Sequence, residues 1–155
     1  MEVKSLIAQH IIEAHEGGNW TGNSIREILK DVSITMATAQ TTASVNTIAS
    51  LLHHLTYWNN VIITRISGVA IEIPEINGFD VPQISTEEEW AKLQADNLKS
   101  AHDLASAISS FEKHDLNEPI LPGYSSAYKS FHGCIEHIYY HLGQITMIKQ
   151  LTTHS

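Results

Sequence analysis

Cysteine is nearly missing: Cys134 is the single one in 155 residues. No intrachain disulfide can form, and a four-cysteine zinc site is excluded. A reducing cytosol is the simplest home. Basic residues are few and scattered. Nine Lys and Arg stand against seventeen Asp and Glu, for a formal net charge of −8 with the histidines neutral. Nucleic acid is therefore not an expected partner. No apolar run approaches the roughly 18 residues of a membrane span, so no membrane association is expected. The opening Met1-Glu2-Val3-Lys4-Ser5 starts an amphipathic pattern, not a signal peptide, which fits a cytoplasmic location. No Ser-His-Asp order, Gly-rich phosphate loop or paired-carboxylate signature stands out. The 43% hydrophobic content suits one domain over residues 1–155, with a core large enough to fold without staples.

What the chain has in quantity is histidine, ten in all. One pair, His137 and His141, stands four apart. On a helix that spacing puts both imidazoles on one face, with Cβ atoms about 5–6 Å apart. Chance placement of this many histidines gives roughly 0.6 such pairs, so the spacing alone decides nothing. The surrounding pattern has to.

Helical periodicity accounts for most of the chain. Residues 2–16 carry Val3, Leu6, Ile7, Ile11 and Ala14 at helical spacing, and Gly17-Gly18-Asn19 ends the run. His10 sits beside that stripe and reads as half-buried with one hydrogen bond. Ser24-Ile25-Arg26-Glu27 has the capping-box form and predicts a short helix to about Lys30. Residues 31–42 read as an irregular connection. A second long helix is expected from about 43–46 to 67–68, with Val45, Ile48, Leu51, Leu52, Leu55, Trp58, Ile62 and Ile66 on its apolar face. Pro74, Gly78 and Pro82 break residues 69–84 into a loop. Its isoleucines suggest that it packs down and borders a pocket.

Ser85-Thr86-Glu87-Glu88 opens a third long helix as a capping box, with acid at the positive end of the dipole. Trp90, Leu93, Asn97, Ala101, Leu104, Ile108 and Phe111 form its stripe, which is expected to end near Lys113–His114. Beyond Pro119, Pro122 and Gly123, a fourth long helix runs from about Ser126 to Leu151. Its Ile135, Tyr139 and Leu142 make a second apolar stripe, expected to pack on another helix or to form a homodimer seam. No strand pattern competes. Four long helices and one short one predict an all-α, four-helix up-down bundle.

Helical phase then selects candidates. The face centred on His141 also holds Ser130, Cys134, His137, Gln144 and Ile145, so both histidines turn inward. On the second helix, His54 lies one turn after Leu51 and one turn before Trp58, along the buried stripe. His53 falls on the polar side with Tyr57 and Asn60. Bundles commonly build metal sites from side chains on facing helices. Neutral imidazole suits Zn, Ni, Cu and Fe better than Mg or Ca. Three protein ligands leave a position open, the pattern of a catalytic site and not of a closed structural one. The bland alternative is a buried histidine pair hydrogen-bonded to Gln144, a tyrosine or backbone carbonyls, and periodicity does not separate the two readings. Cys134, one turn before His137, reads as a small buried side chain. Gln144 is expected to orient a histidine or water. Tyr57 and Trp58 read as core or pocket wall. Glu13 and Glu136 are general-base candidates only if the fold brings them near, and Glu136 points away by phase.

The segment His137-Ile138-Tyr139-Tyr140-His141-Leu142-Gly143-Gln144-Ile145 resembles the C-terminal signature of the DinB/YfiT-like superfamily, a histidine pair followed by Gly-Gln-Ile. The stretch from Ile48 to Trp58, an apolar run with His54 and an aromatic four residues later, resembles its second-helix motif. The order of elements matches over nearly the whole chain. The resemblance implies an up-down bundle of four helices, a homodimer, and a divalent metal, commonly Ni or Zn, held by three histidines. Carried over, these are His54, His137 and His141. The better-understood members of the family resemble thiol transferases that activate a low-molecular-weight thiol, such as bacillithiol or mycothiol, against an electrophile. The functional expectation is therefore a metal-dependent enzyme, a thiol S-transferase acting on a small molecule. The alternatives are a metal-dependent hydrolase and a non-catalytic metal-binding or stress-response protein. No catalytic group beyond the metal ligands is assigned.

Overall fold

Helix boundaries in this chain follow capping side chains more closely than hydrophobic stripes. A computed structural model describes residues 2–112 and 115–153. Among these it contains α1 (Val3–Glu16), α2 (Ile25–Leu29), α3 (Ile34–Thr38), α4 (Ile48–Ile66), α5 (Glu87–Ser109) and α6 (Ala127–Thr153). α4 starts where Thr47 Oγ1 accepts from the Ser50 N–H at 3.1 Å and Ser50 Oγ accepts from the Thr47 N–H at 2.9 Å. This reciprocal cap satisfies two amides that a helix start otherwise leaves open. It sets the start later than the 43–46 expected. Val45, assigned above to the apolar face, lies outside the helix and is 94% exposed.

α5 shows a smaller slip. The cap is Thr86 with Glu89, not Ser85 with Glu88. The Glu89 carboxylate accepts from two amides, those of Ser85 at 2.7 Å and Thr86 at 3.1 Å, which favours the later frame. The helix ends at Ser109, before the expected Lys113–His114, and those two residues lie outside the described ones. Phe111 is still buried, just past the helix.

α3 stands where an irregular connection was expected. Ser33 Oγ accepts from the Met36 N–H, and Ala37 is fully buried against the core. Five residues are too few for an isolated helix to persist, so this one depends on packing against α4, α5 and α6. The Ala-Thr alternation carries no periodic signal that would have announced it.

The four long helices form a ring in which α1 packs on α5 and α6, and α4 packs on α5 and α6. Side-chain pairs give their directions. Asn97 pairs with Thr56 and Ser100 with Asn59, so α4 and α5 run parallel. Glu16 meets His102 and Lys4 reaches the Phe111 carbonyl, so α1 and α5 are antiparallel. His54 faces His137, and Arg65 faces Tyr124 just ahead of α6, so α4 and α6 are antiparallel. The order is up, down, down, up. The strict alternation of a simple up-down bundle is broken because residues 67–86 cross back along the bundle before α5 begins. Asn59, Asn97 and Ser100 are buried, and leaving one such group unpaired costs about 1–3 kcal/mol. These polar pairs therefore help to set the α4–α5 register.

The second stripe of α6 is covered within the chain. Ile135 and Leu142 are buried, and Tyr139 meets His10 of α1, with 3.4 Å between its hydroxyl and the ring nitrogen. His10 is half-buried with this one hydrogen bond, as expected. The stripe is thus an intramolecular seam, leaving little of it for a second copy. On α1, Val3 and Leu6 are each 50% exposed, and the buried face is carried by Ile7, Ile11, Ala14 and His15.

His15 is buried at 2% exposure, its Nδ1–H donates to the Ile11 carbonyl at 2.8 Å, and its Nε2 has no partner. Burial pushes its pKa down to about 4. The unfolded chain then takes up the proton first, so stability falls as pH drops below about 6.5 and the loss levels off below about 4. Between pH 7.5 and pH 5 this one group removes about 2 kcal/mol. Urea unfolding at the two pH values should show that His15→Gln loses less stability on acidification than the wild type by about that amount.

Candidate metal centre

The centre is assembled from α4, α6 and the loop between α4 and α5. His54 Nε2 lies 3.0 Å from His137 Nε2, and His141 Nε2 lies 2.9 Å from the same atom. Among the described residues this is the set of acidic, cysteine or histidine side chains whose ligand atoms converge, all within 4.8 Å of one another. His54 is 3% exposed and His141 6%. The two helices meet here because His54 continues the Leu51–Trp58 stripe of α4 and His141 continues the Ile138–Ile145 stripe of α6.

The second nitrogen of two rings is held from outside. His54 Nδ1–H donates to the Asn77 carbonyl at 2.7 Å, since a carbonyl can only accept. His141 Nδ1–H donates to Gln144 Oε1 at 2.6 Å, the orienting role expected of Gln144. Both Nε2 atoms therefore carry lone pairs toward the centre. His137 Nε2 touches both, and one proton on it can serve only one of them well. Burial lowers the pKa of His54 and of His141. His137 is pushed down to about 3, first by burial and then by the neighbouring His141 and His54. Three neutral imidazoles with converging lone pairs are short of protons and suited to a cation. The residues fit a divalent metal on the chemistry of their donors alone.

Asn77 was not singled out by sequence. Its backbone is left-handed, with φ 53°, a conformation that Asn tolerates better than most residues. This turn aims its carbonyl at His54 and its side-chain oxygen at the Trp58 indole N–H, 3.1 Å away. Phe79 stacks on the His54 ring at 4.0 Å between centroids, with 7° between planes. Between them, Gly78 has φ 77°, and a Cβ there would come within 2.4 Å of the Tyr57 ring. The Asn-Gly pair was the available signal, since it marks a turn needing positive φ. The expectation that this loop packs down beside a pocket is met.

The three rings open on a cavity of about 560 Å³. Trp58, Ile62, Phe79 and Tyr140 give it apolar walls, and Arg65 and Lys129 also line it. The other candidates stay outside the chemistry. His53 is turned away toward Asp80, 3.9 Å distant. Cys134 borders the cavity, but its Sγ–H donates to the Ser130 carbonyl and burial pushes its thiol up to about 12, so it is no ready thiolate. Glu136 pairs with His132, and Glu13 takes a hydrogen bond from Gln9. Neither carboxylate borders the cavity.

The fold and centre define a class: an all-helical protein with three convergent imidazoles at the base of an apolar cavity. Residues 19–145 match the family described as the DinB superfamily, and the chain belongs to it. No curated protein and no solved structure matches the chain significantly. Among the described residues, no helix is long and apolar enough to cross a membrane.

Gly78→Ala tests how tightly the loop is seated. The clash with Tyr57 and the strained φ should cost about 2 kcal/mol in chemical denaturation. Gly123→Ala, also at positive φ but with open space around it, should cost less.

Proposed function

We propose that this protein is a metal-dependent enzyme in which His54, His137 and His141 hold a divalent ion, Ni or Zn by the family resemblance, and that it transfers a low-molecular-weight thiol to an electrophile. The observation that carries the metal reading is the pair of Nδ1–H anchors at Asn77 and Gln144. Each commits its ring to present a lone pair at Nε2, and both lone pairs converge on His137 Nε2, at 3.0 and 2.9 Å, an approach that the hydrogen bonds to a carbonyl and to Gln144 do not by themselves require. When bound, the ion supplies Lewis acidity, which lowers the pKa of a thiol or water beside it.

The chain's own residues do the rest. Burial keeps the three imidazoles neutral, so protons do not compete for Nε2 near neutral pH. Phe79 and Trp58 lie against His54 and shield the centre from water on the loop side. The apolar wall gives an organic electrophile a surface to lie on within reach of the histidines. No carboxylate in the cavity is placed to take a proton, which suits a nucleophile that has already lost its own and suits base-assisted hydrolysis less well. Family membership supports a metal-dependent reading, and the thiol enters through the resemblance of the two histidine motifs.

Three measurements check this. Metal analysis of the purified protein should find about one Ni or Zn per chain, and His141→Ala should lose it. Gln144→Leu should keep the fold but weaken metal binding about 10- to 100-fold, the usual effect of removing a group that orients a ligand. The metal-loaded protein should accelerate conjugation of a small thiol to monobromobimane. An unchanged rate in His141→Ala would sink the site assignment. Ester or amide cleavage with no thiol present would turn the reading to a hydrolase.

A further inference from the structure

The proposed chemistry leaves the two cations of the cavity wall unused. In a chain of net charge −8, Arg65 and Lys129 line the same cavity as the three histidines. Among the described residues, neither has a carboxylate within ion-pair distance, although most other lysines of the chain have one. The Arg65 Nε is buried with no hydrogen-bond partner, and the guanidinium lies 5.6 Å from the Trp58 ring centroid and 4.7 Å from that of Tyr124. Two aromatic rings thus hold a cation in place without neutralising it. A guanidinium presents paired N–H groups that match the two oxygens of a carboxylate.

Position ties these cations to the histidines. On α4, residues 54, 58, 62 and 65 recur at steps of three and four and share one face. On α6, residues 129, 133 and 137 step by four. Arg65 sits roughly 16 Å along the helix axis from His54, but long helical side chains lean toward the N-terminus, here toward the histidines. The Trp58 indole lies within reach of both: its centroid is 6.1 Å from that of His137 and 5.6 Å from the Arg65 guanidinium carbon. A ligand spanning the cavity has a charged end, an apolar middle and a reactive end.

We propose that Arg65, with Lys129 at the rim, is an anion-binding subsite, and that the molecule reaching the three histidines is an organic acid. Its carboxylate sits on Arg65, its body lies along Trp58 and Ile62, and its reactive group faces the histidines. The histidine end rests on the metal-dependent reading above. The arginine end does not. A charge-assisted pair in a partly dry wall is worth about tenfold or more in affinity over an uncharged isostere.

Calorimetry on the metal-loaded 155-residue chain tests this with two probe pairs: 4-phenylbutyrate against 4-phenylbutyramide, and 6-mercaptohexanoate against 6-mercaptohexanol. The acid of at least one pair should bind about tenfold tighter than its neutral partner. The pair that shows it tells whether the carboxylate belongs to the electrophile or to the thiol. Arg65→Met keeps an apolar stem against Trp58 and should erase most of the preference. Lys129→Gln, at an exposed position where the fold should be retained, should reduce it about two- to threefold and weaken its dependence on salt. His137→Ala should leave the preference of the phenylbutyrate pair in place even if metal is lost. Equal binding of acid and neutral probe in both pairs overturns the proposal. So does a preference that survives Arg65→Met but vanishes in His137→Ala, since the anion is then held at the metal centre. A protein that binds no metal but keeps an Arg65-dependent preference overturns the metal reading and leaves the anion subsite standing.

Discussion

Three imidazoles packed nitrogen to nitrogen need something outside the centre to decide which nitrogen of each ring carries its proton. Without that, each ring can switch tautomer, and the inward atoms are donors as often as acceptors. Here the deciding contacts are the Asn77 carbonyl behind His54 and the Gln144 side chain behind His141. One comes from the same helix, three residues on, and one from a loop twenty-three residues away. The centre is therefore only as well defined as the seating of that loop on α4. The Gly78–Tyr57 contact, the Phe79–His54 stack and the Trp58–Asn77 hydrogen bond all serve the seating.

The same loop links the fold to the site. Because α4 and α5 run parallel, residues 67–86 must travel back along the bundle, and on the way Asn77 and Phe79 meet the His54 ring. A direct hairpin between two antiparallel helices would have left His54 without its carbonyl and the cavity without Phe79. The pairs Thr56–Asn97 and Asn59–Ser100 help to hold the parallel register, at helix turns adjacent to His54 and Trp58. Polar groups that look incidental in the core thereby bear on where the centre sits.

Charge has an uneven distribution that matters for function. The surface is acidic, whereas the cavity wall carries Arg65 and Lys129 and no carboxylate. Low salt screening inside a partly enclosed space strengthens such a field relative to the exposed pairs on α5, which contribute little. A cationic recess in an otherwise acidic chain is the contrast on which the proposed anion subsite rests.

Period and spacing are local properties, and the chain carried them plainly. The four long helices, the inward turn of His137 and His141, the choice of His54 over His53 and the role of Gln144 all follow from 100° per residue and a stripe of leucine and isoleucine. Side chains three or four apart on a helix meet whatever the rest of the chain does. What the tertiary structure alone decided depends on contacts between distant segments. The parallel course of α4 and α5, the existence of α3, the covering of the Ile135–Leu142 stripe by α1 and the arrival of Arg65 and Lys129 in one wall have no local signature. Asn77 shows the limit most clearly. Its neighbour Gly78 marked a turn, but nothing within reach of that turn in sequence says that its carbonyl meets a histidine twenty-three residues earlier. That meeting required the loop to close onto packed helices, and only the assembled core supplies the surface it closes on.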